Sequence, residues 1–322
     1  MYSFEQILHL IESEINQLRF SRQPQSLYLP VHYILALGGK RIRPALMLMA
    51  CNLYNEEVEK AIKPAIGMEI FHNFTLLHDD LMDEADKRRN QLTVHKKWNA
   101  NTAILSGDAM LILAYQFIGE TEPSLLKPVL DIFTQTALEI CEGQQFDMEF
   151  ESRQDVSEEE YIEMIRLKTA VLLACCLQSG ALIGGASEEE ATKLYQFGIN
   201  LGIAFQLQDD LLDTFGDPQT FGKNIGGDIL CNKKTFLLIQ TMKLASRQQK
   251  EIIRAFQSSE NPEEKIVAIK SIYESLGIRE ITNDAIHYYY SRAMQELANL
   301  NLPAERLQPI HETVNILVKR KS

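Results

Sequence analysis

Apolar residues return at three- and four-residue steps along almost all of this 322-residue chain, and that spacing commits it to helices. The segment EEATKLYQFGINLGIAFQLQDDLLD holds the pattern from end to end, whereas runs that alternate with period two and are rich in Val, Ile and Thr are essentially missing. Pro24, Pro30, Gly38-Gly39, Pro123, Gly184-Gly185, Gly216 to Pro218, Gly226-Gly227, Pro262 and Pro303 mark the breaks. Usual helix lengths between these breaks give an all-α fold of about ten to twelve helices. No Pro/Ser/Gly-rich linker long enough to separate domains is present, so residues 1–322 are expected to form one large bundle.

Two copies of one acidic cluster sit inside these apolar runs, DDLMD from Asp79 to Asp83 and DDLLD from Asp209 to Asp213. Residues i and i+4 share a helical face, so each cluster presents a pair of carboxylates to one point, Asp79 with Asp83 and Asp209 with Asp213. No basic residue lies one turn upstream of either. Buried carboxylates do not stay ionised without cations, and the most economical counter-ion for oxygen-only clusters is Mg²⁺, which favours carboxylates together with substrate phosphates and water. A single such string is ordinarily a solvated acidic face. Two with the same spacing, each followed by basic residues, are not readily accidental.

The rest of the composition narrows the function class. A net charge of −12 disfavours nucleic acid and anionic membrane surfaces as partners. Cys51, Cys141, Cys175, Cys176 and Cys231 form no CxxC pair and look like apolar residues of a reducing compartment. The start, MYSFEQILHLIESEIN, lacks the basic and apolar regions of a secretory signal. The most apolar stretch, AVLLACCLQSGALIGGA, is broken by Gln178, Ser179 and glycines. A cytoplasmic protein with no membrane anchor is expected.

Basic residues answer the acids. GGKRIRP holds Lys40, Arg41 and Arg43; DKRRN holds Lys87, Arg88 and Arg89; Lys168, Lys223, Lys233 and Lys234 stand further on. Gly38 and Gly39 let the backbone approach an anion at a helix start, and arginine forks match phosphate oxygens. If the first acidic helix continued, Arg88 and Arg89 would lie about 14 to 15 Å along it, so a loop folding back over the metal site is expected instead. GDPQTFGKNIGGDI has the glycine content of a closing lid. Acids that need a metal beside bases that need an anion imply a phosphorylated ligand bridged by Mg²⁺.

These motifs together resemble the trans-isoprenyl diphosphate synthases, or polyprenyl synthetases. The match runs through GGKRIRP, EIFHNFTLLHDDLMDEADKRR, Lys168-Thr169, FQLQDDLLDTFGD and GKNIGGDI with the following lysine. The resemblance implies mostly antiparallel helices around a central cavity, usually in a homodimer. It implies that Asp79, Asp83 and Asp209 bind Mg²⁺, three ions in all, with Asp80, Asp210 and Asp213 in support. Arg88, Lys168, Lys223 and Lys233 resemble ligands of the allylic diphosphate. Lys40, Arg43, His72 and Arg89 resemble those of isopentenyl diphosphate, and Thr169 and Gln206 resemble polar groups near the ionising carbon. Where the family commonly reads RRGxPTVH this chain has RRNQLTVH, with Asn90 and Leu92 in place of glycine and proline. The carboxy-terminal VKRKS is expected to be a disordered tail.

The chemistry implied is carbon–oxygen cleavage to an allylic cation, attack by isopentenyl diphosphate and loss of a proton, with the departing diphosphate stabilised by Mg²⁺, Lys and Arg. No protein nucleophile is needed. His78, beside Asp79, is expected to pack rather than act as a base. Product length is set upstream of Asp79: at 100° per residue Thr75 falls within about 40° of it and Phe71 at about 80°, whereas Phe74 enters through the resemblance alone. Phe74 with Thr75 looks more like a C20 than a C15 producer. Two other readings are a class I terpene cyclase, which needs no second diphosphate site such as GGKRIRP and Arg89, and a non-catalytic regulatory subunit, which can lose its acidic clusters.

Overall fold

Ser3 closes a reciprocal capping box with Gln6, accepting from its backbone at 3.2 Å, and so starts the first helix. In the computed structural model the described residues are 1–20, 22–216, 225–257, 259 and 261–318, the last three in backbone only. They fall into two compact units, one of Met1–Thr134, Cys175–Leu194 and Asn301–Ile310, the other of Gln135–Ala174, Tyr195–Leu300 and His311–Ser322.

The first unit opens with α1 (Phe4–Gln17), α2 (Gln25–Ala36), α3 (Ile42–Tyr54) and α4 (Glu59–Met82). Helix α1 buries Ile7, Ile11 and Ile15, one residue per turn, so one stripe faces the core. Helix α3 is different: Pro44 through Leu53 are all buried, as the sequence LMLMACNL requires of a helix with no polar face. Helix α4 packs on α3 and lies along α6 (Ala100–Ile118), whose start Asn99 caps by accepting from Thr102. A short hairpin, β1 (Lys87–Arg88) and β2 (Gln91–Leu92), and the single-turn α5 (Val94–Lys97) join α4 to α6.

Helix α7 (Pro123–Ser152) reaches the second unit. There α8 (Glu158–Ile165) begins at a second capping box, Ser157 with Glu160. It runs through a π-helical turn, Arg166–Ala170, into α9 (Val171–Gly184). Then come α10 (Glu188–Phe215), the single-turn α11 (Gly227–Leu230), α12 (Phe236–Leu244), α13 (Arg247–Gln257), α14 (Pro262–Ser275), α15 (Ile278–Ala298) and α16 (Ala304–Val318). Helix α12 packs on α8, α14 and α15, and α14 also carries α11.

The all-α expectation holds. Among the described residues the α-helices exceed the expected ten to twelve, two of them being the single turns α5 and α11. Among the described residues the one sheet is the two-stranded hairpin, pairing Lys87 with Leu92 and Arg88 with Gln91. Its two central residues, Arg89 and Asn90, have φ of 52° and 61°, the left-handed pair that a tight hairpin turn demands and that Asn tolerates better than most residues. Asn90 therefore suits the turn that the family's glycine would make. The run Glu158–Gly184 is long and apolar enough to cross a membrane, but 78% of its apolar window is buried, the pattern of a core helix.

Candidate active site

The first acidic cluster lies at the carboxy-terminal end of α4, where Asp83 is the last capping residue and its N–H bonds to Asp79 O at 2.9 Å. Asp79 and Asp83 keep water access, whereas Asp80 is only 3% exposed. The hairpin returns Arg88 to this point: its Nε donates to Asp80 Oδ1 and Oδ2, both at 2.8 Å, and its Nη2 lies 2.8 Å from Asp80 Oδ1 and 3.5 Å from Asp79 Oδ2. Burial raises the Asp80 pKa, and the Arg88 hydrogen bond and charge oppose it. Arg88 in turn is held above its ordinary value by Asp80, Asp79 and Asp83 in spite of its own burial. The predicted fold-back over the acids is thus a β-turn geometry.

Four of the predicted diphosphate residues gather around the loop between α2 and α3. Arg43, in the first turn of α3, lies with Nη1 3.1 Å from His72 Nε2. Burial, with Arg43, Arg89, Arg88 and Arg41 nearby, pushes His72 well below the ordinary imidazole value. Neutral His72 then accepts from the arginine. Arg89 donates through Nη1 to Gly38 O. Its guanidinium comes close to Gly39, where a Cβ would stand 2.7 Å from Nη2, and the φ of 143° at Gly39 is one that favours glycine. Lys40 is exposed on the same loop. Arg41, grouped with these bases in the sequence, turns inward instead: it is 4% exposed and bonds Glu69 at 2.7 Å and Glu12 at 3.0 Å.

In the second unit the π-helical turn carries Lys168 and Thr169, and extra-wide turns of this kind recur at functional sites. Two glycines let neighbouring helices close on it. A Cβ at Gly143 of α7 would stand 2.8 Å from the carbonyl carbon of Leu167, and one at Gly202 of α10 would stand 2.5 Å from Ala170 Cα. Lys168 Nζ donates to Asp147 Oδ2 at 2.7 Å. Thr169 Oγ1 donates to Gln206 Oε1 at 3.1 Å, and Gln206 Nε2 donates to Asp210 Oδ1 at 3.0 Å. Tyr161 from α8 donates its hydroxyl to Asp210 Oδ2. Asp210 is 4% exposed, and burial together with the charges of Asp228 and Asp209 pushes its carboxyl well above the ordinary range, against the Tyr161 and Gln206 hydrogen bonds. Burial and the same acid raise Tyr161, which keeps its proton.

Asp213, one turn on, accepts from the Asp228 N–H at 3.0 Å through Oδ2, and its own carbonyl accepts from Gly226 N at 2.6 Å. The Gly226-Gly227-Asp228 turn is thereby fastened to the second acidic cluster, with Gly226 at φ 84°. Lys233 donates its N–H to Asp228 O at 3.0 Å and lines a small cleft with Thr214, Asp228 and Lys265. Lys223, most of the predicted lid (217–224) and the basic end of the tail (319–322) lie outside the described residues.

Upstream of Asp79 an aromatic file runs along α4 and its neighbours. Phe74 meets His78 at 4.8 Å between ring centroids and Phe71 at 5.5 Å, and Phe71 meets Phe133 edge-on at 5.0 Å. Phe71 is 1% exposed and stands behind Phe74, while Phe74 and Thr75 keep partial exposure. His78 packs as expected, its Nε2 3.3 Å from Ile104 O, against a glycine at 107 where any Cβ would collide with its ring.

Sequence reasoning missed Tyr161, Asp147, Asp228 and Glu69. Tyr161 and Asp147 belong to ordinary helical patterns, and only Asp228, within GGD, carried a local signal. Among the described residues no three His, Cys, Asp or Glu side chains close on one point tightly enough to hold an ion unaided. Pairs of accessible carboxylates that leave coordination places for phosphate and water fit Mg²⁺ better than an all-protein site would.

Comparison with known proteins agrees with this chemistry. The family model for polyprenyl synthetases matches residues 24–276. A geranylgeranyl diphosphate synthase of Methanosarcina mazei is 36% identical over 281 residues, 86% of this chain and 85% of that protein. A crystal structure of a geranylgeranyl pyrophosphate synthase matches with a TM-score of 0.94 and 44% identity over 100% of both chains. That of a geranylgeranyl pyrophosphate synthetase from Pyrococcus horikoshii matches with a TM-score of 0.92 and 31% identity over 98% of both. Family match, relatives and fold agree: this chain is a transferase of the polyprenyl synthetase family, which acts on diphosphate substrates with a divalent metal.

Proposed function

We propose that this chain joins isopentenyl diphosphate to an allylic diphosphate (dimethylallyl, geranyl or farnesyl) in trans head-to-tail elongation, with a C20 product ahead of C15. The observation that carries the reading is the pairing, within the first unit, of a metal-type acidic cluster with a separate cationic loop. Arg88 lies on Asp79 and Asp80, while Arg43, His72, Arg89 and Lys40 gather at Gly38-Gly39. A cyclase has no use for the second group.

In this reading Asp79, Asp83 and Asp209 bind Mg²⁺, three ions when substrate is present, and Asp213 supports them. Asp80 and Asp210 act from behind, oriented by Arg88 and by Tyr161 with Gln206. The metal supplies charge stabilisation for the departing diphosphate. Arg88, Lys168, Lys223 and Lys233 hold that diphosphate; Lys40, Arg43, His72 and Arg89 hold isopentenyl diphosphate. Thr169 and Gln206 direct hydroxyl and amide dipoles toward the cation. Residues 1–322 work as one catalytic domain, in the cytoplasm. A homodimer is supported by the exposed apolar side chains Ile104, Leu105 and Ile112 of α6.

The test is incubation of the pure protein with Mg²⁺, isopentenyl diphosphate and each of the three primers, followed by sizing of the products. Elongation to C20 is expected; no elongation from any primer overturns the reading. Phe74→Ala should lengthen the product, because the side chain that limits the file is removed while Phe71 remains packed behind it. An unchanged product distribution would take Phe74 out of the tunnel.

A further inference from the structure

The loop between α2 and α3 has an unusual backbone: Gly38, Gly39 and Arg41 have φ of 78°, 143° and 46°. Glycine accepts such values readily, but arginine does not, so the residue at 41 must be held by contacts its side chain makes. Those contacts reach three helices. Nη1 of Arg41 lies 2.7 Å from Glu69 Oε1 on α4, Nε lies 3.0 Å from Glu12 Oε1 on α1, and Nη2 donates to Leu35 O in α2 at 2.8 Å. Glu69 is 2% exposed and also accepts from Asn73 Nδ2 at 2.9 Å. A guanidinium sealed and shared in this way is out of reach of a phosphate.

Everything cationic nearby depends on where this loop sits. Arg43 follows Arg41 by two residues and meets His72, three residues after Glu69 on α4, so Arg41–Glu69 and Arg43–His72 are successive rungs between the same two segments. Arg89 rests on Gly38 and Gly39, and Lys40 adjoins Arg41. We propose that Arg41 is a positioning residue: it locks the Gly38–Arg43 loop against α1, α2 and α4, so that Lys40, Arg43 and Arg89 form one preorganised diphosphate site without Arg41 touching the ligand. The role of that site as the isopentenyl diphosphate site rests on the function proposed above.

Removing Arg41 alone would leave Glu69 buried and charged, so the informative variants are Arg41→Lys and the paired Arg41→Met/Glu69→Leu, which replaces the ion pair with apolar groups of similar size. The paired variant should keep its far-ultraviolet helix signal and unfold cooperatively. Its KM for isopentenyl diphosphate should rise about tenfold or more, with the KM for the allylic primer and kcat within about threefold of the wild type. Arg41→Lys, which keeps the charge but loses the fork, should fall between. Amide hydrogen exchange of residues 37–43 in the ligand-free protein should quicken in both variants while the rest of α4 is unchanged. Unchanged exchange in this loop overturns the latch even if the wild type elongates no primer. Quickened exchange with an unchanged isopentenyl KM, or an equal loss on both substrates, overturns its role in positioning that site.

Discussion

The two acidic clusters have the same spacing and opposite support. In each, the second aspartate is buried, Asp80 at 3% and Asp210 at 4% exposure. Asp80 is held by a cation, the two-point Arg88 contact. Asp210 is held by neutral donors, Tyr161 and Gln206, and the charged groups that weigh most on it, Asp228 and Asp209, are acids. Both carboxyls are raised by burial; the Arg88 guanidinium opposes the shift at Asp80, and the Tyr161 and Gln206 hydrogen bonds oppose it at Asp210. The lesson is that a repeated motif need not carry a repeated environment. Among the described residues, the buried aspartate of the α4 cluster is met by a guanidinium and that of the α10 cluster by a hydroxyl and an amide.

The harshest test of the comparison is removal of one outer carboxylate from each cluster. Asp79→Asn and Asp209→Asn should each lower kcat by about 10²- to 10³-fold at saturating Mg²⁺, because in the proposed function each removes a metal-holding group that acts on charge in the transition state. A large loss on one side only would break the equivalence of the two clusters. Smaller, and more discriminating, is removal of the two holders. In urea denaturation Arg88→Gln should lose about 3 kcal/mol, since a buried carboxylate is left without its cation. Tyr161→Phe should lose about 1 to 2 kcal/mol, since one neutral donor goes and Gln206 remains. Equal losses would show that Arg88 serves Asp80 as a hydrogen bond and not as a charge.

The smallest effect expected is a pH dependence in the cationic loop. The pKa of His72 is depressed in the folded protein, so it folds as the neutral base. Its contribution to stability is therefore present above the unfolded value of about 6.5 and is lost as pH falls through the depressed folded value. The melting temperature of the wild type should fall, relative to His72→Gln, as pH is lowered from 6.5. Parallel curves for the two proteins would show that His72 does not take up its proton on unfolding.

Several features were legible from local sequence because their physics is local. The i, i+4 spacing of Asp79 with Asp83 places two carboxylates on one face of α4 whatever surrounds them, and the three- and four-residue apolar rhythm is enough for the helices. In the sequence the glycines at 38 and 39 leave room for an anion, and the structure places the Arg89 guanidinium against them. The partners of the buried acids were not legible. Arg88 meets Asp80 eight residues away only because Arg89 and Asn90 make a tight turn, and Tyr161 meets Asp210 across 49 residues of chain.

Arg41 and Arg43 draw the line most clearly. In the string GGKRIRP they look alike, two basic residues beside a glycine pair. Composition and periodicity settled on their own that this chain is helical, acidic and armed with paired carboxylates, because those properties need nothing beyond neighbouring residues. Which arginine faces Glu69 in the core and which faces His72 was decided by the packing of α1, α2 and α4, since the partner of a side chain is chosen by contacts far apart in the chain.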